Sequence, residues 1–297
     1  RSDIYNTPTE EDALQEIARA VEQALAGAGA VPADLASGAF SMAGADWPED
    51  IDLLRRGMTR CGFGRTGVII NDAIGALRAG TPDGLGVAIT CGTGIAIGAR
   101  NIDGRQWYSG NWAIATGGLE LGQQALVAVY EAHLGLGPQT SLTTGILNFF
   151  DADSAENVLH YCTARNTDRH WLHQARLAPI LLEEAANGDA VANAIVNGAG
   201  ARNARVAAMA ARSVGLEDEP FRLVLSGGVL RHPSQLLHKA ICRNIRAEMP
   251  RAVVCSGGPE PVIGAVMAAR DALGFAPDEQ VQARLERESP GGWLFAT

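Results

Sequence analysis

The chain has 297 residues, which fits one large domain or two of medium size, and 47% of them are apolar, enough for a sizeable core. The formal net charge of −9 argues against a nucleic-acid-binding protein, in which a basic face is expected. No apolar run is long enough to span a membrane and no signal peptide is visible, so we expect a cytoplasmic protein without a membrane partner.

The five cysteines are scattered along the chain, at Cys61, Cys91, Cys162, Cys242 and Cys255. No two of them have the spacing of a zinc site, and their odd number argues against a complete disulfide framework. Free thiols in a reducing compartment are therefore expected, which agrees with the cytoplasmic prediction.

The first 80 residues alternate helices and strands, a pattern typical of an α/β layer with parallel strands. The predicted elements are a helix from Glu10 to the glycines at 27 and 29, a strand over 35–42, a helix over 51–60, a strand from 68 to 70 and a helix over 73–79. Such a layer needs one or more strands ahead of the first helix, so we expect a missing upstream segment of about three strands.

The pattern changes near residues 80–82, where we place a domain boundary. An antiparallel meander over 85–91, 95–101 and 106–109 is followed by a helix-rich region over 121–214, in which Asp189 caps a helix over 190–213. The last elements are a strand over 221–226, a helix over 233–246, a strand over 252–255 and a helix over 261–273. The predicted domains are 1–80, completed by 270–297, and 81–269.

A carboxylate follows the strand that ends at Ile70. Asp72 at that strand end is suited to accept the proton of a hydroxyl that attacks a phosphoryl group. The alternative is that Asp72 caps the helix beginning at Ala73, with Asn71 as a turn residue. Taken alone, the residue pattern favours the capping role.

Two glycine-rich turns are candidates for nucleotide contacts. Gly92-Thr93-Gly94, at the tip of a hairpin, offers backbone N–H groups and a hydroxyl to phosphate oxygens. Ser226-Gly227-Gly228 follows a buried strand, where glycines let a flat ligand such as adenine lie against the backbone. Each also has a plain interpretation, as a hairpin turn and as a tight strand-to-helix turn.

The order of these motifs is more specific than any one of them, and a helix containing Gly264-Ala265 completes it. This order resembles the sugar-kinase, actin and heat-shock-chaperone ATPase superfamily, and within it the N-acetylglucosamine kinase and BadF/BadG/BcrA/BcrD-type ATPase family. The resemblance covers nearly the whole chain. It implies a two-domain α/β, actin/hexokinase-like (ribonuclease H-like) fold that binds ATP and Mg²⁺ in an interdomain cleft.

The resemblance also implies roles for individual residues. Asp72 matches the catalytic base and a substrate contact, beside Asn71. The nucleotide contacts implied are Gly92, Thr93 and Gly94 of the second phosphate loop and Ser226, Gly227 and Gly228 of the adenosine loop. The sugar contacts implied are Asp3, Ser41, Ala43, Gly44, Trp112, Gly117 and Glu120.

Two departures from the family pattern stand out. The Asp-Gly-Gly-Thr-type first phosphate loop, which bears on Mg²⁺ and the β- and γ-phosphates, has no counterpart after Arg1. Many relatives carry Gly-Asp-Glu-Gly after the tryptophan, whereas this chain has Gly117-Gly118-Leu119-Glu120. Glu120 is then the acid available to contact the sugar.

Three functions follow from the resemblance. The first is a homodimeric kinase acting on N-acetylglucosamine or glucosamine, with Asp72 as the base. The second is an ATPase that drives a partner, as in activators of acyl-CoA dehydratases and reductases, which hold an iron–sulfur cluster through cysteines at a dimer interface. The third is a nucleotide- or sugar-binding protein without catalysis. The kinase is favoured, because no cysteine here has a convincing cluster context.

Overall fold

The structure is a computed structural model that describes residues 7–63, 66–165, 171–255 and 260–288. The predicted sugar contact Asp3 lies outside the described residues. Within these ranges the strands are β1 (Ser37–Met42), β2 (Thr66–Asn71), β3 (Gly86–Cys91), β4 (Ile95–Arg100), β5 (Gln106–Tyr108), β6 (Phe221–Ser226) and β7 (Ala252–Cys255). The helices are α1 (Glu10–Ala28), α2 (Pro48–Arg60), α3 (Asp72–Gly80), α4 (Gly118–His133), α5 (Leu142–Phe150), α6 (Ala155–Thr163), α7 (Trp171–Ala175), α8 (Ala178–Ala186), α9 (Ala190–Ser213), α10 (Leu236–Glu248), α11 (Pro261–Ala272) and α12 (Glu279–Glu288).

The first sheet pairs β1 and β2 in parallel, with Ser37 opposite Thr66 and Met42 opposite Asn71. The parallel pairing confirms the α/β layer predicted for the first 80 residues. An apolar cluster separate from the main core packs this sheet against helices α1 and α2. It includes Leu14, Ile17, Leu54, Met58 and Ile69. Both strands therefore end at the same edge of the first sheet.

The second sheet has the order β5-β4-β3-β6-β7. β3, β4 and β5 form the predicted antiparallel meander, while β6 and β7 continue the sheet in parallel to β3. Its main helix is α9, which starts where Asp189 accepts a hydrogen bond from the Ala192 backbone N–H at 2.8 Å, as predicted. The parallel strands β3 and β6 bring two glycine-rich turns to the same edge of the sheet.

The helix α3 lies between the two sheets, and most of its residues are buried. Small residues allow this close packing. A Cβ atom on Gly98 of β4 would lie 2.8 Å from the Cβ atom of Ala73, and one on Gly80 would lie 2.5 Å from Val224 of β6. The start of α3 is therefore held by the second sheet as well as by the first.

The helix α11 returns to the first sheet, where it packs against α3 and β1. A Cβ atom on Gly264 would overlap the carbonyl oxygen of Gly75, so a glycine is required at this crossing. At the other end, the buried guanidinium of Arg78 donates two hydrogen bonds to Asp271, at 2.7 and 3.0 Å. These contacts connect the two halves of the chain; the domain limits given above stay a prediction.

The predicted helix over 233–246 was wrong at its start, because α10 begins at Leu236. The preceding residues form a turn instead: Gln235 has a φ of 55°, and the Ser234 backbone N–H donates to Nδ1 of His232 at 3.3 Å. A left-handed residue cannot continue a helix, so α10 starts after it. Among the helices of the described ranges, none is both long and apolar enough to cross a bilayer.

Candidate active site

A cleft of about 420 Å³ lies where the two sheets face each other. The first half of the chain contributes Ala43, Asp46, Asn71 and Asp72, which lie at or just after the carboxyl ends of β1 and β2. The β3–β4 hairpin contributes its tip, Gly92-Thr93-Gly94. Ligands of parallel α/β sheets bind outside these strand ends, so the cleft lies at the expected edge.

Asp72 is the first residue of α3 and lines the cleft. The helix is capped by the preceding residue, since Oδ1 of Asn71 accepts from the Ala73 backbone N–H at 3.0 Å. The capping interpretation of Asp72 was therefore wrong, because that role belongs to Asn71. A carboxylate in the first turn of a helix is stabilised in its charged form by the helix dipole.

A second carboxylate lines the cleft beside Asp72. Asp46 lies in the loop after β1, and its Oδ1 accepts a hydrogen bond from Nδ2 of the buried Asn71 at 2.9 Å. Sequence reasoning missed Asp46 as a functional residue. Its place just after a strand that pairs in parallel with β2 is the signal that would have identified it.

The first turn of α4 holds the hairpin tip in place. The backbone N–H groups of Gly118 and Leu119 donate to the carbonyl oxygens of Gly92 and Thr93, at 3.0 and 2.8 Å. A Cβ atom on Gly118 would lie 2.6 Å from the Gly92 carbonyl oxygen, so only glycine fits there. Among the described residues, no group accepts from the backbone N–H of Thr93 or Gly94. The tip thus offers donors to an anion, as a phosphate cradle requires.

Two buried hydroxyls next to the tip have no hydrogen-bond partner among the described residues. They belong to Thr90 and Ser226, which are opposite each other in the parallel pairing of β3 and β6. Buried hydroxyls without partners cost free energy, so such groups point to a ligand or water that completes them. Thr90 lines the cleft, and Ser226 starts the predicted adenosine loop.

A second cavity, of about 570 Å³, continues from the cleft through Gly92 and Thr93. Its walls are largely apolar; they include Phe149, Pro179, Leu182, Gly228 and Val229, with Arg176 and His232 as polar groups. Burial lowers the pKa of His232, which favours the neutral form of the imidazole. A mostly apolar cavity that opens onto a phosphate cradle fits a nucleotide base.

Gly227 attaches the Ser226-Gly227-Gly228 turn to the hairpin. Its φ of 102° suits glycine, and a Cβ atom there would overlap the carbonyl oxygen of Cys91. The same carbonyl accepts from the Val229 backbone N–H at 3.1 Å. Burial, followed by the charge of Glu120, raises the pKa of the Cys91 thiol to about 12, so Cys91 is not a nucleophile.

Several predicted sugar contacts lie outside the cleft's described lining, namely Ser41, Gly44, Gly117 and Glu120. Glu120 accepts from the Gly117 backbone N–H at 2.8 Å and so closes the first turn of α4. Ser41 packs against Gly75 of α3. Trp112 lines an adjoining cavity. The structure therefore brings Ala43, Asn71, Asp72 and the hairpin tip together on one cleft. The other predicted sugar contacts named in this paragraph are not among the described residues that line it.

Within the described residues, no three side chains of His, Cys, Asp or Glu come together as a metal site. All five cysteines are free, and Cys91 and Cys242 are buried. Mg²⁺ is commonly bound by one or two carboxylates together with substrate phosphates, so it does not need a cage of protein ligands. Asp46 and Asp72 are the carboxylates that line the cleft.

The fold and cleft define an α/β protein of the actin/hexokinase-like class, and solved structures share this fold. A candidate N-acetylglucosamine kinase from Chromobacterium violaceum superposes with a TM-score of 0.63 at 23% identity, over 86% of this chain and 84% of that one. A ROK family glucokinase from Streptomyces griseus, in complex with glucose and AMPPNP, gives 0.53 at 19% identity, over 89% of each chain. These likenesses confirm the predicted fold class.

The chain belongs to the BadF/BadG/BcrA/BcrD ATPase family, whose sequence model matches residues 1–269. It is 30% identical to the N-acetyl-D-glucosamine kinase of Dictyostelium discoideum over 237 residues, which cover 77% of this chain and 74% of that protein. It is 24% identical to the N-acetylmuramic acid/N-acetylglucosamine kinase of Clostridium acetobutylicum over 270 residues, covering 89% and 87%. The resemblance predicted from the motif order is confirmed.

Proposed function

We propose that the protein transfers the γ-phosphoryl group of ATP to a hydroxyl of an N-acetylated amino sugar. One observation carries the proposal: Asp72 and the Gly92-Thr93-Gly94 tip, which follow strands of different sheets, line the same cleft. A base and a phosphate cradle on one cavity are the parts that phosphoryl transfer needs. The names of the relatives, kinases of N-acetylglucosamine and N-acetylmuramic acid, indicate the class of acceptor.

In this mechanism the acceptor hydroxyl oxygen attacks the γ-phosphorus, and the bond from that phosphorus to the leaving ADP oxygen breaks. Asp72 accepts the hydroxyl proton. The N–H groups of Thr93 and Gly94 and the Thr93 hydroxyl donate to phosphoryl oxygens as negative charge develops. Mg²⁺ bound with the nucleotide would neutralise phosphate charge, and Asp46 would be the cleft carboxylate available to hold it, since Asp72 serves as the base.

In this proposal the two substrates occupy opposite ends of the space formed by the cleft and the cavity that shares Gly92 and Thr93 with it. The nucleotide occupies the apolar cavity behind Gly92 and Thr93, with the adenosine near Gly228. The acceptor sugar occupies the cleft between Ala43 and Asp72. Closure of the two halves excludes water, which would otherwise compete with the sugar hydroxyl. A homodimer and a cytoplasmic location belong to the same proposal.

The test is release of ADP by the full chain with ATP, Mg²⁺ and a panel of acceptors: N-acetylglucosamine, N-acetylmuramic acid, glucosamine and glucose. We expect kcat/KM to be highest for an N-acetylated sugar. Binding of ATP and sugar in calorimetry without any turnover would overturn the proposal in favour of a non-catalytic binding protein. A brown, cluster-bearing dimer after anaerobic purification would favour a partner-driving ATPase instead.

A further inference from the structure

A third cavity, of about 670 Å³, adjoins the cleft. It lies on the side away from the 570 Å³ cavity assigned above to the nucleotide, which we call the nucleotide cavity. It shares Asp46, Gly110 and Asn111 with the cleft. Among the described lining residues it has none in common with the nucleotide cavity. A nucleotide in the nucleotide cavity would therefore not border the third cavity, whereas an acceptor sugar in the cleft would.

The walls of this cavity are aromatic, formed by Trp47, Trp107, Tyr108 and Trp112. Three of the five tryptophans in the chain thus line one cavity. Trp47 and Trp112 are 51% and 65% exposed. Indole rings are large apolar groups with one polar N–H, so two of them exposed on one cavity mark a binding surface rather than core packing.

Polar groups flank these rings. The exposed amide side chains of Gln106 and Asn111 line the cavity, and Asp46 lies at its junction with the cleft. The loop after β1 and the strand β5, which form two sides of the cavity, are joined by a hydrogen bond: the Tyr108 hydroxyl donates to the Asp46 carbonyl oxygen at 3.1 Å. A pyranose ring has an apolar C–H face and hydroxyls on its edge, which suits aromatic walls with a few amide groups.

We propose that this cavity binds a second pyranose ring, joined by a glycosidic bond to the sugar in the cleft. The protein then accepts a disaccharide of N-acetylated amino sugars as well as the monosaccharide. This inference rests on the proposed function, since it uses the cleft as the acceptor site. The second ring stacks on Trp47 and Trp112 and takes no part in phosphoryl transfer.

Calorimetric titration of N,N′-diacetylchitobiose and of N-acetylglucosamine, each also assayed for phosphorylation, tests the inference. Trp47→Ala is the main variant, because its side chain is half-exposed and its helix-capping contact uses the backbone N–H. We expect it to weaken disaccharide binding about three- to tenfold and to leave monosaccharide binding unchanged. Trp112→Ala is expected to weaken disaccharide binding likewise, and Ile102→Ala, an 81% exposed residue outside the cavity, to change neither affinity.

The outcomes separate this inference from the proposed function. Binding of the monosaccharide without the disaccharide, or equal losses for both sugars in Trp47→Ala, overturns the second-ring site alone. Trp47-dependent disaccharide binding without turnover of either sugar supports the site and overturns the kinase proposal. Binding of neither sugar overturns both. Thermal unfolding of each variant shows whether the fold is retained.

Discussion

The side chain of Asn71 makes two hydrogen bonds that join the catalytic candidate to its surroundings. Its Nδ2 donates to Oδ1 of Asp46 at 2.9 Å, and its Oδ1 accepts from the Ala73 backbone N–H at 3.0 Å. One buried amide thus connects the loop after β1 with the start of α3. Asp72 lies between Asn71 and Ala73 in the chain, so the hydrogen bond between those two residues fixes the backbone on either side of it.

The first prediction concerns Asp46. We expect Asp46→Ala to lower kcat about 10- to 100-fold, because release of Asn71 misplaces the neighbouring carboxylate of Asp72. Steady-state kinetics with varied sugar and varied ATP measures the change. Asp52→Ala is the control, since Asp52 is an exposed residue of α2 whose side chain contacts Arg55. Unchanged kcat in Asp46→Ala would contradict the positioning role.

The second prediction compares two adjacent glycines. Gly227→Ala places a methyl group against the Cys91 carbonyl oxygen at a φ of 102°, whereas a Cβ atom on Gly228 meets nothing within 4 Å. We expect Gly227→Ala to lower the free energy of unfolding by about 2 kcal/mol or more, and Gly228→Ala to change it by about 0.5 kcal/mol or less. Urea unfolding measures both. Equal changes in the free energy of unfolding of the two variants would contradict the requirement for glycine at position 227.

The third prediction concerns the ion pair between α3 and α11. Arg78 is 3% exposed and Asp271 is 40% exposed. Asp271→Ala leaves a buried guanidinium without its carboxylate, so we expect a loss of about 1–3 kcal/mol in the free energy of unfolding. Glu16→Ala removes an exposed pair with Arg19 and should cost about 0–1 kcal/mol. A loss for Asp271→Ala no larger than for Glu16→Ala would contradict the role of this pair.

The fourth prediction is a loss of stability in mild acid. Burial lowers the pKa of both His232 and His238 below 6.5, with Lys239 adding to the effect at His238. Below that pH the unfolded chain binds more protons than the folded chain, so the free energy of unfolding falls as the pH falls. Urea unfolding at pH 7.5 and 5.5 measures the fall, and the double variant His232→Gln/His238→Gln should show a smaller one. The same fall in both proteins would contradict the assignment.

Local patterns were enough to predict much of the fold from the sequence. The helix over 190–213 is found with the predicted limits, because Asp189 caps its start and an unbroken Ala-rich segment follows. The strand over 221–226 is also found as predicted, because a buried apolar run ends in two glycines. Asp72 and the hairpin tip were identified through the order of motifs, although no local pattern required them to meet.

The parts of the site that sequence reasoning missed depend on contacts between distant segments. Asp46 matters through Asn71, which is 25 residues away, and a turn residue gives no local sign of such a partner. The capping role was assigned to Asp72 because Asn and Asp have nearly equal preference at a helix start, and geometry decides between them. The aromatic cavity joins Trp47 with Trp112 across the two sheets, which no periodicity along the chain reveals.

In the proposed mechanism Asp72 acts as the base for phosphoryl transfer to a sugar, and Asp72→Asn removes that base. Asn keeps the size and one acceptor oxygen of Asp but does not accept a proton at neutral pH. Asp103→Asn is the matched control, because Asp103 is an exposed residue of the β4–β5 turn beside Arg105.

The most direct measurement is therefore kcat and ATP affinity of Asp72→Asn, with ADP release and calorimetry on the same preparation. We predict that kcat for the amino sugar falls roughly 10²- to 10⁴-fold while the Kd for ATP stays within about twofold. Asp103→Asn should match the unmodified protein in both. Turnover of Asp72→Asn at the unmodified rate would contradict the role of Asp72 as the base.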